Sequence, residues 1–311
     1  MPPEEEIGYQ NKKSLLKRSV SLLIKIAITA ACFWYIATKI DFSAAMAAIG
    51  KANWSLLLAA LLLFVLSKLL SAFRLNIYFD NIGLRLPSSI NIRLYWLGMF
   101  YNLFLPGAIS GDAYKVILLN RHYGASLKKT SAAVLLDRIS GLLALGVILA
   151  AFGAFILTDP ALDALLIAGA MIAIGGFYLA LRFMFRDFLP GFLPTFFWGL
   201  GVQLCQVVAV YLIMSSLGIP LSQHAWVFIF LCSAIISVLP VSLGGGLGTR
   251  ELVFAEGARF FHLDPQQGIV ISILFYLITV AGSAWGLFYV FRSPLQGGAK
   301  ERKDAETSVP R

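Results

Sequence analysis

Leu239-Pro240-Val241-Ser242-Leu243-Gly244-Gly245-Gly246-Leu247-Gly248-Thr249-Arg250-Glu251 breaks an apolar run that begins at Ala225. Proline removes a backbone donor and clustered glycine loosens the chain, so a helix ends here. Inside a bilayer, open backbone survives only where protein or a water-filled cavity supports it. The segment near 225–262 therefore reads as a re-entrant hairpin; the alternative is an ordinary span ending in a loop. An earlier stretch has the same grammar. The run from Leu94 to Leu105 meets Pro106-Gly107-Ala108-Ile109-Ser110-Gly111-Asp112, which reads as a second hairpin near 92–122.

Working outward, the rest of the chain is apolar. Hydrophobic residues make up 59% of 311 positions and charged residues 13%, about half the roughly 25% of a soluble domain. Mean hydropathy is +0.81. Six runs are long enough to cross a bilayer at about 20 residues each: 20–39, 54–73, 130–157, 161–181, 195–217 and 267–291. The expected fold is an all-α polytopic membrane protein of about six full transmembrane helices plus two re-entrant helical hairpins. No soluble domain is expected. The run at 20–39 lacks a small-residue cleavage pattern and reads as a span, not a cleavable leader.

The order of these runs repeats. Leu105-Pro106 returns as Leu239-Pro240, and the flanking runs return at similar offsets. Residues 20–158 form one membrane half and 159–291 the other, each reading span, span, broken hairpin, span. Three crossings per half is odd, so the copies lie in opposite orientation. Inverted repeats with paired broken helices point to a transporter-like site at their interface. The flanks, 1–19 and 292–311, are polar. With six crossings, both termini share a side with 74–93, 115–129 and 182–187, and most of the 25 Lys and Arg residues fall there. The other side keeps Lys39, Lys51, Arg250 and Arg259. The positive-inside rule then puts both termini in the cytoplasm, with the chain in the cell (cytoplasmic) membrane.

The net charge of +9 does not imply nucleic acid, because the basic residues punctuate apolar runs and form no stripe with interleaved aromatics. Cys32, Cys205 and Cys232 lie inside apolar runs and read as packing residues. The three histidines share no metal spacing, and no nucleophile elbow or phosphate-loop motif appears, so no catalytic residue, metal or cofactor is expected.

A few charged groups fall where charge is costly. Asp137-Arg138 sits inside the run from 131 to 157. An ionisable side chain there costs a few kcal/mol and is a functional candidate by default; the other reading has it snorkelling at a helix end. Adjacent helical positions diverge by about 100°, so the two need not face each other. Gly141 shares their face and permits close approach. Gly111-Asp112 and Thr249-Arg250-Glu251 follow the two tips. Glycine-rich turns expose N–H groups, and a helix starting there adds a positive dipole end, which suits a phosphate. Arg250 offers a bidentate partner; Asp112 and Glu251 neutralise arginines in the empty state or take up protons. The other reading makes these carboxylates helix caps. Ser67, Ser71 and Arg74 share one helix face. Gln203, Gln206 and the row Ser272, Tyr276, Thr279 and Ser283 mark two more. Each either lines a polar cavity or packs helices.

Together these residues resemble a known family. Asn102-Leu103-Phe104-Leu105-Pro106-Gly107 with Gly111-Asp112, then Asp137-Arg138 with Gly141-Leu142, then Leu239-Pro240 with Gly244-Gly245-Gly246-Leu247-Gly248-Thr249-Arg250-Glu251, are similar to the lysylphosphatidylglycerol-synthase transmembrane-region family over residues 15–295. The resemblance implies a flippase-like membrane domain of a bacterium or archaeon that moves or presents lipid. In full-length synthases this part flips an aminoacylated phosphatidylglycerol made by a cytoplasmic domain. That domain is not expected in the 292–311 tail, so synthase activity is not carried over. Stand-alone members imply polyprenyl-phosphate, hopanoid or glycolipid pathways. Asp112, Asp137, Arg138, Arg250 and Glu251 match motif positions. Asp137 stands where glutamate is expected, and Ala108-Ile109-Ser110 where a glycine pair is commoner.

The expectation is a carrier, not an enzyme, that translocates a phospho- or polyprenyl-phosphate-type lipid. Its site would comprise Arg74, Asn102, Gly107, Gly111, Asp112, Asp137, Arg138, Gly244, Gly245, Gly246, Thr249, Arg250 and Glu251. The expected partner is a membrane lipid with an anionic head group, and a synthase or glycosyltransferase is a second possible partner. Oligomeric state is open. The alternative is an accessory subunit, or a membrane-embedded lipid transferase, in cell-envelope lipid or glycolipid synthesis.

Overall fold

The computed structural model describes residues 50–104, 110–157, 159–238 and 249–295, together with Ser43 and Ala47. The first run (20–39), the two tips at 105–109 and 239–248, and most of both polar flanks lie outside the described residues. So do Gly107, Gly244, Gly245 and Gly246 and the side chain of Thr249.

The described chain is helical, with no strand among its residues. The helices are α1 (Trp54–Asn81), α2 (Ser88–Phe104), α3 (Ser110–Tyr123), α4 (Leu127–Ile156), α5 (Pro160–Phe183), α6 (Phe192–Ser216), α7 (Ala225–Val238), α8 (Thr249–Phe260), α9 (Pro265–Ala284) and α10 (Gly286–Phe291). A 3-10 turn, Arg186–Gly191, leads into α6. Local chemistry sets the boundaries. Asp159 and Asp264 each accept a backbone N–H as N-cap, and each is followed by proline at the first helical position. Gly83 and Gly218 follow α1 and α6 with φ of 76° and 70°, a left-handed conformation that other residues resist.

Five described helical stretches are long and apolar enough to cross a bilayer: Trp54–Asn81, Leu127–Ile156, Pro160–Phe183, Arg186–Ser216 and Pro265–Phe291. They match five of the six expected runs; the sixth is 20–39. One boundary moves. The first of these helices was expected to stop at 73 yet continues to Asn81, because Arg74 is buried and paired inside the bundle. Arg74 and Lys115, counted with the segments outside the membrane core, are buried, and so is Arg250, expected as a site residue after the second tip. Two of them leave the charge-rich side and one the poorer side, so the asymmetry persists.

The broken stretches form pairs of short helices. α2 packs against α3, and α7 against α8. Their 17, 14, 14 and 12 residues correspond to about 18–25 Å, short of the roughly 30 Å hydrocarbon core. Helix contacts come in matching sets. α1 and α6, the second runs of the two halves, form the most extensive pair. α4 packs on α6 as α9 packs on α1, and α4 touches α7 as α9 touches α2.

Polar anchors hold the bundle. Tyr78 Oη lies 2.9 Å from Thr195 Oγ1, joining α1 to α6. Asn91 Nδ2 donates to the Ala72 carbonyl (2.6 Å), and Trp96 Nε1 to the Gly282 carbonyl (3.0 Å), tying α2 to α1 and α9. In lipid such bonds and close packing hold helices together, since hydrocarbon gives little hydrophobic incentive. α5 buries only Phe177 and Leu181.

Candidate functional site

The charged interior starts from Arg74, Ser71 and Ser67 on one face of α1. The serines turn back on their own helix: Ser67 Oγ donates to the Phe64 carbonyl and Ser71 Oγ to the Ser67 carbonyl. Arg74 reaches across to α4, where its Nε donates to Asp137 Oδ1 at 2.7 Å, both side chains over nine-tenths buried. Gly141, on α4, and Gly199, on α6, make the room. A Cβ at Gly141 would lie 2.9 Å from Arg74 Nη1, and one at Gly199 3.4 Å from it. Gln203 Nε2 donates to the Gly141 carbonyl (3.2 Å), closing the α4–α6 seam beside the guanidinium. This pair is neutral overall and built into the packing.

Arg138, next to Asp137, points elsewhere, as the 100° divergence requires. Its Nε donates to Asp112 Oδ2 on α3. The other carboxylate oxygen, Oδ1, accepts from Lys115 Nζ at 2.7 Å, one turn further along α3. One carboxylate thus bridges two cations. Lys115 also lies 5.0 Å from the Tyr95 ring centroid, in space that Gly98 leaves open. Gly111 stacks on the Gly98 backbone, so α2 and α3 touch without side chains between them. Asn102 Oδ1 accepts from Gly111 N (2.8 Å) and Ser110 Oγ donates to the Tyr101 carbonyl (3.1 Å), holding the start of α3 against the end of α2. Asn102 is therefore engaged in the hairpin's own construction.

The second hairpin is arranged differently. Arg250, in the first turn of α8, is 6% exposed. Its Nε and Nη2 are buried with no hydrogen-bond partner among the described residues. Its guanidinium lies 4.9 Å from the Phe275 centroid on α9. Glu251 is within Coulombic reach of it but takes a bond from Ser272 Oγ on α9 (3.1 Å). Phe275 meets Phe64 of α1 edge to face at 6.0 Å, and Lys68 Nζ sits 4.7 Å from the Phe64 centroid.

The structure therefore gathers these residues in two separate ion-pair sets, Arg74 with Asp137 and Asp112 with Arg138 and Lys115, and places Arg250 and Glu251 apart from both. Two cations were not on the expected list. Lys115 could have been found from its i+3 spacing to Asp112. Lys68 gives no such signal, because its neighbours are brought to it by folding.

A family profile described as "Lysylphosphatidylglycerol synthase TM region" matches residues 22–286. The chain belongs to this family. The match spans helices α1 to α9. A "UPF0104 membrane protein" of Archaeoglobus fulgidus is 29% identical over 120 residues, which is 39% of this chain and 35% of that protein. The chain thus matches about a third of that relative's length. No solved structure matches. With the apolar helices above, family membership establishes a multi-pass membrane protein.

Proposed function

We propose that this protein carries a phosphate-bearing lipid through the bilayer, its head group held between the hairpins while the acyl or prenyl chains stay in lipid. The observation that supports it most is the Arg250 guanidinium. It is buried in an apolar bundle, and the edge bearing Nε and Nη2 has no protein partner among the described residues. A desolvated cation without its counter-charge is costly, and an anionic ligand removes that cost. The side chain opens α8, where free backbone N–H groups and the dipole add to the attraction for phosphate.

In this reading the two short helix pairs enter from opposite faces as re-entrant hairpins of an inverted repeat. Both termini are cytoplasmic, by the charge bias. The protein acts as a carrier, without covalent chemistry on the lipid. Arg138, 27% exposed in its side chain, is the second cation able to reach a head group, and Asp112 neutralises it in the empty state. A synthase or glycosyltransferase would supply the lipid.

Proteoliposomes test this. Fluorescent phosphatidylglycerol and polyprenyl phosphate are placed in one leaflet, and their loss to the other is followed by quenching. Wild type should accelerate movement of at least one of them, and Arg250→Ala should return it to the rate of empty vesicles. Equal rates for wild type, variant and empty vesicles across both lipids would contradict the proposal.

A further inference from the structure

Among the described residues, the charged interior does not balance. Five cations, Lys68, Arg74, Lys115, Arg138 and Arg250, face three carboxylates, Asp112, Asp137 and Glu251. Arg74 and Asp137 cancel. Asp112 serves both Lys115 and Arg138, leaving one positive charge. Glu251 is the carboxylate near Arg250, and Lys68 has no carboxylate partner among the described residues, which leaves a second. The hairpin tips cannot make up the difference, because 105–109 and 239–248 contain no acidic residue.

Lys68 and Arg250 lie over two rings that touch each other. Lys68 lies over Phe64 and Arg250 over Phe275, and the rings meet edge to face. Lys68 is also within Coulombic reach of both Arg250 and Arg74. Like charges this near one another in an apolar bundle repel strongly. Cation–aromatic contacts offset only part of that. What relieves it fully is an anion between them.

We propose that Lys68 and Arg250 together receive a doubly charged phosphate, a phosphomonoester or diphosphate, so that the site favours dianionic head groups over the singly charged diester of common phospholipids. The inference rests on the lipid-carrier reading above and narrows its substrate class. Nε and Nη2 share one edge of a guanidinium, and that edge grips two oxygens of one phosphate side by side. A terminal phosphate offers three acceptor oxygens and nearly two charges, leaving an oxygen for the Lys68 ammonium. A diester has two free oxygens and one charge, so it satisfies Arg250 and leaves Lys68 uncompensated. Of the two surplus positive charges, one lies in the Asp112 set and one at Lys68, and only a dianion matches their total.

The test is calorimetric titration of the purified full chain in zwitterionic detergent at about pH 7, where the monoester has lost most of its second proton. The probes are short-chain phosphatidate, short-chain phosphatidylglycerol and inorganic phosphate. Wild type should bind phosphatidate roughly thirtyfold or more tighter than phosphatidylglycerol, the scale of one desolvated charge contact. Lys68→Gln should bring phosphatidate down to the phosphatidylglycerol level, and Lys68→Arg should restore the preference. Equal binding of the two lipids by wild type would overturn the dianion preference while leaving the carrier reading in place. Preference that survives in Lys68→Gln would overturn the role of Lys68. Inorganic phosphate binding as tightly as phosphatidate would uphold the dianion chemistry but overturn the lipid as its source. Binding of no probe would overturn the carrier reading along with the inference.

Discussion

The two hairpins share an architecture and differ in how their charges are satisfied. In α2–α3, Asp112 is engaged by Lys115 and Arg138, Asn102 holds the Gly111 amide, and the helices meet backbone to backbone at Gly98 and Gly111. In α7–α8, Arg250 keeps an edge without a partner among the described residues and Glu251 is drawn to Ser272. A Cβ added at Gly257 there would meet the Ile229 side chain, not its backbone. The first pair is closed by its own contacts; in the second, one edge of Arg250 meets no partner among the described residues. In the carrier reading proposed above, that asymmetry gives structure to the first pair and the ligand to the second.

The largest effect is expected beside the hairpins, in the buried pair that braces α1 against α4. Arg74→Ala or Asp137→Ala should each destabilise the fold by about 3–5 kcal/mol, because either leaves a buried charge alone. Thermal unfolding in detergent would show it, and the double variant Arg74→Met/Asp137→Leu should recover most of the loss. Singles that unfold at the wild-type temperature would show that the pair does not brace the bundle. Asp112→Asn should cost somewhat less, about 2–3 kcal/mol, since Arg138 is partly exposed and can turn toward water.

Much of the fold was legible in the sequence. Spans of eighteen or more apolar residues announce themselves, and five of six are seen where expected. Proline and glycine likewise marked where the short helices α2 and α7 end, at Phe104 and Val238. What escaped was long-range pairing. A run ending at Arg74 looks like a helix leaving the membrane; only Asp137, 63 residues away, turns that arginine into an interior residue. The divergence of Asp137 from Arg138 followed from helix geometry, but neither partner did. Lys68 depended on Phe64 meeting Phe275, a contact between the two halves that no local pattern encodes.

Smaller effects sharpen the contrast between the hairpins. Gly111→Ala would place a methyl group against the Gly98 backbone, which cannot yield, and should cost about 2–3 kcal/mol. Gly257→Ala meets a side chain that can shift, and should cost about 1 kcal/mol. Comparable losses would deny that the first hairpin is the more tightly built. The smallest change in stability should come from Arg250→Met. Replacing an unpartnered buried charge with an apolar side chain of similar volume should leave the unfolding temperature unchanged or slightly higher, while lipid movement in proteoliposomes falls to background.

Native mass spectrometry of protein taken directly from its membrane reads the open edge of Arg250 most simply. Wild type should carry a bound phosphate-containing lipid that survives detergent exchange, and Arg250→Met, folded to the same degree, should come off without it. The same lipid at the same occupancy on both proteins would mean that the phosphate does not sit on Arg250, and the account of the second hairpin as the receiving one would be wrong.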